Sequence, residues 1–267
     1  MGIIIAVLLF SFIIIFHELG HFLLAKKNGI RVDEFSLGLG PTLLGKQIGE
    51  TKFSLKLLPF GGACMMGEDD ADDLSEGSFN SKSVWARMSV VAAGPIFNLI
   101  LACVFCFILI MITGYRSPEI TGVLDGYSAQ EEGLQAGDVI TEINGRNVHI
   151  WDDVSLYTMT HADEAPFKVE YERDGKKYTA KLEPRQLEGD AAPLLGVTSG
   201  DIVKPGIFKS VEYSIYKVKY WMNYTVDSLR MLVTGQAGLK DLSGPVGIVN
   251  AVDDMYQEAA PAGFGVV

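Results

Sequence analysis

The chain has 267 residues, more than one typical domain, and 48% of them are hydrophobic, which is at the upper edge for a soluble protein. Its net charge of −11 argues against a nucleic-acid partner, because phosphate binding needs clustered Lys and Arg. The apolar residues are concentrated in 3–16 and 88–113, whereas 68–76 and 152–188 are rich in charge. This distribution predicts a chain that is partly embedded in a lipid bilayer and partly soluble.

The first predicted element is a membrane-spanning helix over about 2–25. It contains about two dozen residues, enough to cross ~30 Å of hydrocarbon at 1.5 Å per residue. No basic segment precedes the apolar run, as it would in a signal peptide. Lys26 and Lys27 follow directly, and positive residues favour the cytoplasmic side. We therefore expect the end of this helix in the cytoplasm and the N-terminus outside.

The next stretch, 28–87, is predicted to be a β-rich cytoplasmic loop with a membrane-associated β-hairpin. Residues 35–37 and 52–57 alternate between apolar and polar side chains, which is the strand period. A second predicted span, about 88–113, follows Arg87 and should run from inside to outside. Pro95 lies inside this helix, where it removes a backbone hydrogen bond.

The segment 118–184 has the composition of a soluble domain. Asn144-Gly145 and Asp174-Gly175 are strong signals for two-residue hairpin turns, and 139–143 alternates like a strand. This predicts a compact α+β domain outside the membrane. In 211–233 apolar residues are mixed with Lys, Asp and Arg, which favours an amphipathic surface helix over a third span.

The chemistry of the chain is indicated by His17-Glu18-Leu19-Gly20-His21, a complete H-E-x-x-H pattern. Two histidines four positions apart lie on one face of a helix, so both imidazoles can bind one Zn²⁺. Glu18 is next to His17 and can take a proton from a water that the metal has activated. Ionisable groups are costly inside an apolar span and normally mark a functional site. The pattern therefore predicts a zinc site with His17 and His21 as ligands and Glu18 as the catalytic acid/base.

With these residues in place, the chain resembles the site-2 proteases, zinc metalloproteases that cut transmembrane substrates within the bilayer. The matching segments follow the family's order over almost the whole chain. They are H-E-L-G-H at 17–21, G-L-G-P at 38–41, P-F-G-G at 59–62, M-x-G-E at 65–68, A-A-G-P-I-F-N at 92–98 and L-S-G-P-V-G-I-V at 242–249.

The outer domain resembles a PDZ module, in which a groove beside a strand accepts an extended peptide. A peptide receptor and a size filter over the membrane site both remain open as its role. The residues that carry this match are Ser128-Ala129, Gly133-Leu134, 136–140 and 143–145.

The resemblance implies a bacterial inner-membrane protein with a membrane α-helical fold: two predicted spans, a third core span missing, the β-hairpin region and an extracytoplasmic PDZ-like domain. The expected domains are 1–114 for the protease core, 117–186 for the PDZ-like domain and 187–267 for an amphipathic region. Family members have a third zinc ligand, an Asp in a C-terminal helix, which 1–267 does not supply; Asp125 is interpreted as a turn residue. We therefore expect 1–267 to bind zinc poorly and to be inactive alone.

The resemblance also implies substrate-binding residues. Strands near 35–39 and 53–57 would hold an unwound substrate segment, with Gly38, Leu39 and Gly40 at a close approach and Asn98 as a donor to the substrate or to the oxyanion. Two rival functions stay open at this point. One is a membrane-anchored peptide-binding adaptor with an inactive zinc site, and the other is a transporter-like proton relay. The retained Glu18 and the four-residue histidine spacing favour the protease.

Overall fold

The structure, a computed structural model, describes residues 2–67, 72–187, 193–238 and 244–259. The chain divides into two compact units, Met1–Leu101 with Lys240–Val267, and Ala102–Leu239. The elements in chain order are α1 Gly2–Lys27, β1 Glu34–Ile48, β2 Thr51–Met65, α2 Val84–Thr113, β3 Tyr115–Arg116, β4 Gly122–Val123, α3 Ser128–Glu131, β5 Val139–Ile143, β6 Arg146–Asn147, α4 Trp151–Thr160, a 3-10 turn Ala162–Glu164, β7 Phe167–Arg173, β8 Lys176–Leu182, β9 Val197–Thr198, β10 Ile202–Val203, α5 Ile207–Val233 and α6 Pro245–Ala259.

Helices α1 and α2 are long and apolar enough to cross a membrane, over Ile3–Lys27 and Val84–Thr113. In the most apolar 18-residue stretch of each helix, only 11% of α1 and 17% of α2 is buried within the protein. The core helix of a soluble protein would be mostly buried. Both helices coincide with the predicted spans, although α2 begins at Val84, four residues before the predicted start. Among the described residues no other helix is long and apolar enough to cross a membrane. Helix α5 is amphipathic, as its mixed composition predicts.

In the first unit, β1 and β2 form a hairpin that is folded back on itself. Ile48 pairs with Thr51 at the tip, whereas Ser36 pairs with both Ser54 and Ala63. The first half of β1 therefore lies between the two halves of β2. The predicted hairpin is present, but two bent strands build a sheet four segments wide.

Each long strand bends where glycine permits a left-handed backbone. The β1 bend contains Gly38 and Gly40, with φ of +82° and +90°, and the β2 bend contains Gly61, with φ of +87°. A Cβ on Gly38 would overlap the carbonyl oxygen of Leu58, so the two bends pack backbone to backbone. The G-L-G-P and P-F-G-G motifs thus have a structural role in folding the hairpin.

A small core joins the end of α1 to the sheet and to the start of α2. Phe22 on α1 contacts Phe35 and Phe53, with ring centroids 5.4 and 5.7 Å apart. The buried residues of this core are Ala25, Ile30, Val32, Cys64, Met66 and Val90. The contacts hold the last turns of α1 beside the last residues of β2. Helix α6 also packs on α1. Two residues of the L-S-G-P-V-G-I-V motif, 242–243, and Glu68 of the M-x-G-E motif lie outside the described residues.

In the second unit, four antiparallel strands lie in the order β6, β5, β7, β8. Asn144 and Gly145 join β5 to β6 with φ of +45° and +87°, and Asp174 and Gly175 join β7 to β8 with φ of +51° and +73°. Positive φ at both positions is the type I′ hairpin geometry that the two dipeptides predict. The core of this unit includes Phe167, Ile140, Ile143 and Leu182, all fully buried.

Two short strand pairs extend the second unit. Strand β4 pairs with β9, so Val123 lies opposite Val197, and β3 pairs with β10. This pairing continues past residue 186, where the sequence places the end of the PDZ-like domain. Helix α5 is tied to the same unit by an ion pair between Arg146 and the buried Asp227, 2.7 Å apart, and by one between Lys217 and Asp152, 2.8 Å apart.

Candidate metal centre

Helix α1 places His17, Glu18 and His21 within about one turn. The helix is continuous through the H-E-L-G-H motif, so the two histidines point from the same face. Their ring centroids are 4.8 Å apart with an interplanar angle of 77°. All three side chains are half-buried, which means that protein covers part of each polar group in an otherwise apolar helix.

Both histidines use Nδ1 to contact α2. Nδ1 of His21 lies 2.7 Å from the carbonyl oxygen of Val90, and Nδ1 of His17 lies 3.1 Å from Nδ2 of Asn98. A carbonyl oxygen can only accept, so Nδ1 of neutral His21 carries the proton and its Nε2 keeps a free lone pair. A hydrogen bond at Nδ1 fixes the orientation of an imidazole whose Nε2 can then bind a metal.

The two Nε2 atoms converge beside Gly94 of α2. A Cβ on this residue would lie 2.5 Å from Nε2 of His17 and 2.5 Å from Nε2 of His21. No real side chain fits at such distances, so glycine keeps the space next to both nitrogens open. The sequence gives no site role to Gly94, although its place beside Pro95 in an apolar helix was a usable signal.

Close packing of the helices brings these groups together. A Cβ on Gly20 would lie 2.6 Å from the carbonyl oxygen of Ala93 and 3.0 Å from Cδ2 of Phe97. Phe97 also contacts Phe16, with ring centroids 5.8 Å apart. Gly20, inside the histidine motif, therefore allows α1 to approach the backbone of α2, as small residues do between helices in membranes.

A cavity of about 360 Å³ opens beside Glu18 and His21. The end of β2 approaches here, since a Cβ on Gly62 would lie 3.4 Å from Cγ of Glu18. The cavity is thus bounded by the face of α1 that carries Glu18 and His21, the end of β2 and the start of α2. Its other lining residues are Ala63, Cys64, Met65, Met66, Phe79, Val90 and Val91.

The donors fit zinc in part. Two imidazole Nε2 atoms with oriented rings are typical zinc ligands, and catalytic zinc normally takes three protein ligands. Within the described ranges no group of three or more His, Cys, Asp or Glu side chains is placed to hold a metal ion. Asp125 lies in a turn of the second unit, where its Oδ1 accepts a hydrogen bond from Nε2 of Gln130 at 2.6 Å. This agrees with its interpretation as a turn residue.

The four predicted substrate-binding residues divide into two groups. Asn98 is brought to the histidines. Gly38, Leu39 and Gly40 form the β1 bend and do not line the cavity beside Glu18. The predicted binding of substrate along residues 35–39 does not fit the sheet. Residues 35–37 are paired with strand segments on both sides and cannot take another strand. The neighbouring end of β2 lines the cavity instead.

Comparison with known proteins identifies the family of the chain. The family model for peptidase family M50 matches residues 5–266. The chain belongs to peptidase family M50, the site-2 protease family. A protein of Clostridium acetobutylicum, provisionally named a zinc metalloprotease, is 38% identical over 263 residues, covering 98% of this chain and 76% of the relative. The Regulator of sigma-W protease RasP of Bacillus subtilis is 28% identical over 333 residues, covering 93% of this chain and 79% of the relative.

Members of the M50 family are membrane proteins, and relatives of this chain are named zinc metalloproteases. The chain has two helices that could cross a membrane, in keeping with this family. Among solved structures, the PDZ domain of the SdrC-like protein from Listeria monocytogenes covers 33% of this chain and 87% of that one, at 24% identity and a TM-score of 0.26. The PDZ-like character of the second unit stays a prediction.

Proposed function

We propose that this M50 protein is a zinc-dependent endopeptidase that cuts transmembrane protein substrates inside the bilayer. The observation that carries the proposal is the convergence of two Nε2 atoms beside Gly94, with both Nδ1 atoms in contact with α2. A half-buried pair of oriented imidazoles in an apolar helix favours a functional site over packing, because ionisable groups are costly there. The neighbouring Glu18 supplies a general base, and the third zinc ligand would come from outside the described residues.

In this proposal His17 and His21 hold Zn²⁺ through Nε2. Bound zinc supplies Lewis-acid activation of the attacking water and of the scissile carbonyl. Glu18 accepts the proton that the water loses on attack and then donates it to the leaving amine nitrogen. Its Cγ lies beside Gly62 at the cavity, so the carboxylate is near the space that a substrate backbone would enter.

The substrate segment must be unwound before it is cut. A peptide in a helix has its carbonyl groups in hydrogen bonds to N–H groups four residues later, and a transmembrane substrate is helical. We infer that the unwound segment lies along the end of β2, from Gly62 to Met66, since this strand borders the cavity with Glu18. An extended peptide beside a strand exposes the carbonyl that a helix would hide.

The arrangement in the membrane follows from charge. Lys26 and Lys27 end α1 and Arg87 lies in the first turn of α2, so positive charge flanks the hairpin on both sides. The hairpin would therefore be cytoplasmic and 117–186 extracytoplasmic. A bacterial cell membrane is the expected location, because the relatives named above are bacterial. The PDZ-like domain would then contact the outer part of a substrate or bind a peptide.

Variants of the catalytic motif test the proposal. In a protein that also supplies the third zinc ligand of the family, Glu18→Gln should retain zinc but lose cleavage of a model transmembrane peptide, since an amide cannot accept the proton. His17→Ala and His21→Ala should lose both zinc and cleavage, while Glu76→Gln, an exposed control, should lose neither. Undiminished proteolysis by the Glu18 variant would refute the role of the carboxylate. A wild-type protein that binds a peptide but no zinc would support the adaptor instead.

A further inference from the structure

Asn98 makes a contact with His17 that the proposed zinc function does not explain as it stands. The Asn98 amide is half-buried, and its Nδ2 lies 3.1 Å from Nδ1 of His17. Its Oδ1 is buried and has no hydrogen-bond partner in the described part of the chain. A buried amide beside a candidate ligand, with one atom unpaired, indicates a role beyond packing.

The direction of this hydrogen bond decides which nitrogen of His17 can bind a metal. If the amide NH₂ donates to Nδ1, neutral His17 must carry its proton on Nε2, and a protonated Nε2 has no lone pair for zinc. His21 has no such ambiguity, because its partner, the carbonyl of Val90, can only accept. The two imidazoles would then be in different tautomers: His21 could bind zinc through Nε2, and His17 could not.

We infer that Asn98 is a positioning residue that sets the tautomer of His17: its Oδ1 accepts the Nδ1 proton and leaves Nε2 bare. Exchanging the amide nitrogen and oxygen leaves the shape of the side chain unchanged, so this orientation fits the same space. With Nδ2 next to His17, Oδ1 is left buried and without a hydrogen-bond partner among the described residues. Only with Oδ1 next to His17 do both histidines have a free Nε2 beside Gly94.

This inference rests on the proposed zinc function, and it assigns a different part of α2 to the orientation of each histidine. Helix α2 holds His21 through the backbone carbonyl of Val90 and His17 through the side chain of Asn98, about two turns further along. The first partner cannot be changed by substitution, whereas the second can. The contribution of an outer hydrogen bond to metal binding can therefore be measured at His17 alone.

Three variants separate the roles of Asn98. Asn98→Asp keeps an acceptor for the Nδ1 proton, and Asn98→Leu keeps the size but removes the hydrogen bond. Asn28→Leu is the matched control, because Asn28 donates to the Leu24 carbonyl at 2.8 Å and to Oγ of Ser89 at 3.1 Å, away from both histidines. Zinc affinity is measured by competition with a chelator, on protein that also supplies the third zinc ligand of the family and is purified in detergent micelles.

We expect Asn98→Leu to weaken zinc binding by roughly 10- to 100-fold, and Asn98→Asp and the Asn28 control to stay within about threefold of the wild type. Equal losses in Asn98→Asp and Asn98→Leu would overturn the inference, since Asn98 would then act as a donor. No loss in Asn98→Leu would overturn it as well.

A second readout does not require zinc. With ¹⁵N-labelled histidine, the metal-free wild type should show His17 protonated on Nδ1, and Asn98→Leu should shift it toward the Nε2 tautomer. The chain has four histidines, and the His17 signals are those lost in His17→Ala. An Nε2-protonated His17 in the wild type would refute the inference. Failure of the wild type to bind zinc would instead refute the proposed function, and the tautomer would still decide the role of Asn98.

Discussion

Replacing Gly94 by Ala tests whether the open space beside the two Nε2 atoms is what the site requires. The added Cβ would lie 2.5 Å from Nε2 of His17 and 2.5 Å from Nε2 of His21. Ordinary contact between such atoms needs about 3.5 Å, so each ring must move by about 1 Å or the helices must separate by a similar distance. Neither ring can turn freely, because each Nδ1 is held by α2.

This displacement is large compared with the tolerance of a zinc site. Ligand distances are normally kept within about 0.2 Å, and a misplacement of about 1 Å in a catalytic group can lower a rate about 100-fold. We therefore expect Gly94→Ala to weaken zinc binding by at least about 100-fold, which corresponds to about 2.7 kcal/mol.

The effect on folding should be smaller than the effect on zinc. Overpacking between helices costs about 1–3 kcal/mol, while Ala is favoured over Gly within a helix by about 1 kcal/mol. The net destabilisation is then about 0–2 kcal/mol. Ala92→Ser is the matched control, because Ala92 lies on the exposed side of the same turn.

Two measurements on the same preparation separate these effects. Zinc affinity is measured by chelator competition on protein that also supplies the third zinc ligand of the family, and thermal unfolding is followed by circular dichroism on the same proteins without metal. The expected pattern is a large loss of affinity in Gly94→Ala with a small change in unfolding temperature, and no loss in Ala92→Ser. If Gly94→Ala binds zinc within about threefold of the wild type, the nitrogens do not converge beside Gly94 and the reasoning fails.

Three further predictions concern the chemistry, the orientation and the second unit. In a cleavage assay, Glu18→Gln should retain zinc and lower the rate at least about 100-fold, because general base catalysis is lost. In a cysteine-free background on intact cells, a cysteine at Asn144 should react with an impermeant reagent and one at Glu50 should not; the reverse result would overturn the orientation. Burial alone would raise the pKa of Asp138, but hydrogen bonds from Arg173 and from the Gln135 N–H, and the charge of Arg173, hold it below the ordinary 3.8. The contribution of Asp138 to stability should be fully present above pH 3.8 and be lost as the pH falls through the lowered pKa. Arg173→Ala should destabilise the domain because it leaves the buried Asp138 without its partner, and faster hydrogen exchange in β5 and β7 would show this; unchanged exchange would contradict the pairing.

Local chemistry explains which parts of the fold the sequence predicts. The two apolar helices follow from the length of uncharged sequence, and the Asn144-Gly145 and Asp174-Gly175 hairpins follow from the backbone preferences of two residues. The double pairing of β1 does not follow from such rules. Only residues 35–37 and 52–57 alternate clearly, so the pattern does not predict that Ser36 pairs with both halves of β2.

The same distinction applies to the site. A helical period of 3.6 residues is enough to place His17, Glu18 and His21 together on α1. It says nothing about the atoms that face them from another helix. Gly62 and the carbonyl of Val90 were missed for this reason, since a backbone oxygen and a glycine beside a carboxylate have no signature of their own in the sequence.

The histidine motif and the A-A-G-P-I-F-N motif are therefore two halves of one site. Within five residues of α2, Gly94 supplies space for both Nε2 atoms, Pro95 lacks the N–H that would bond to a carbonyl one turn earlier, and Asn98 reaches Nδ1 of His17. A change in these residues leaves H-E-L-G-H intact in the sequence yet removes what orients it. An unaltered H-E-x-x-H on an apolar helix predicts a working zinc centre only when the helix packed against it offers the space and the hydrogen-bond acceptors that His17 and His21 need.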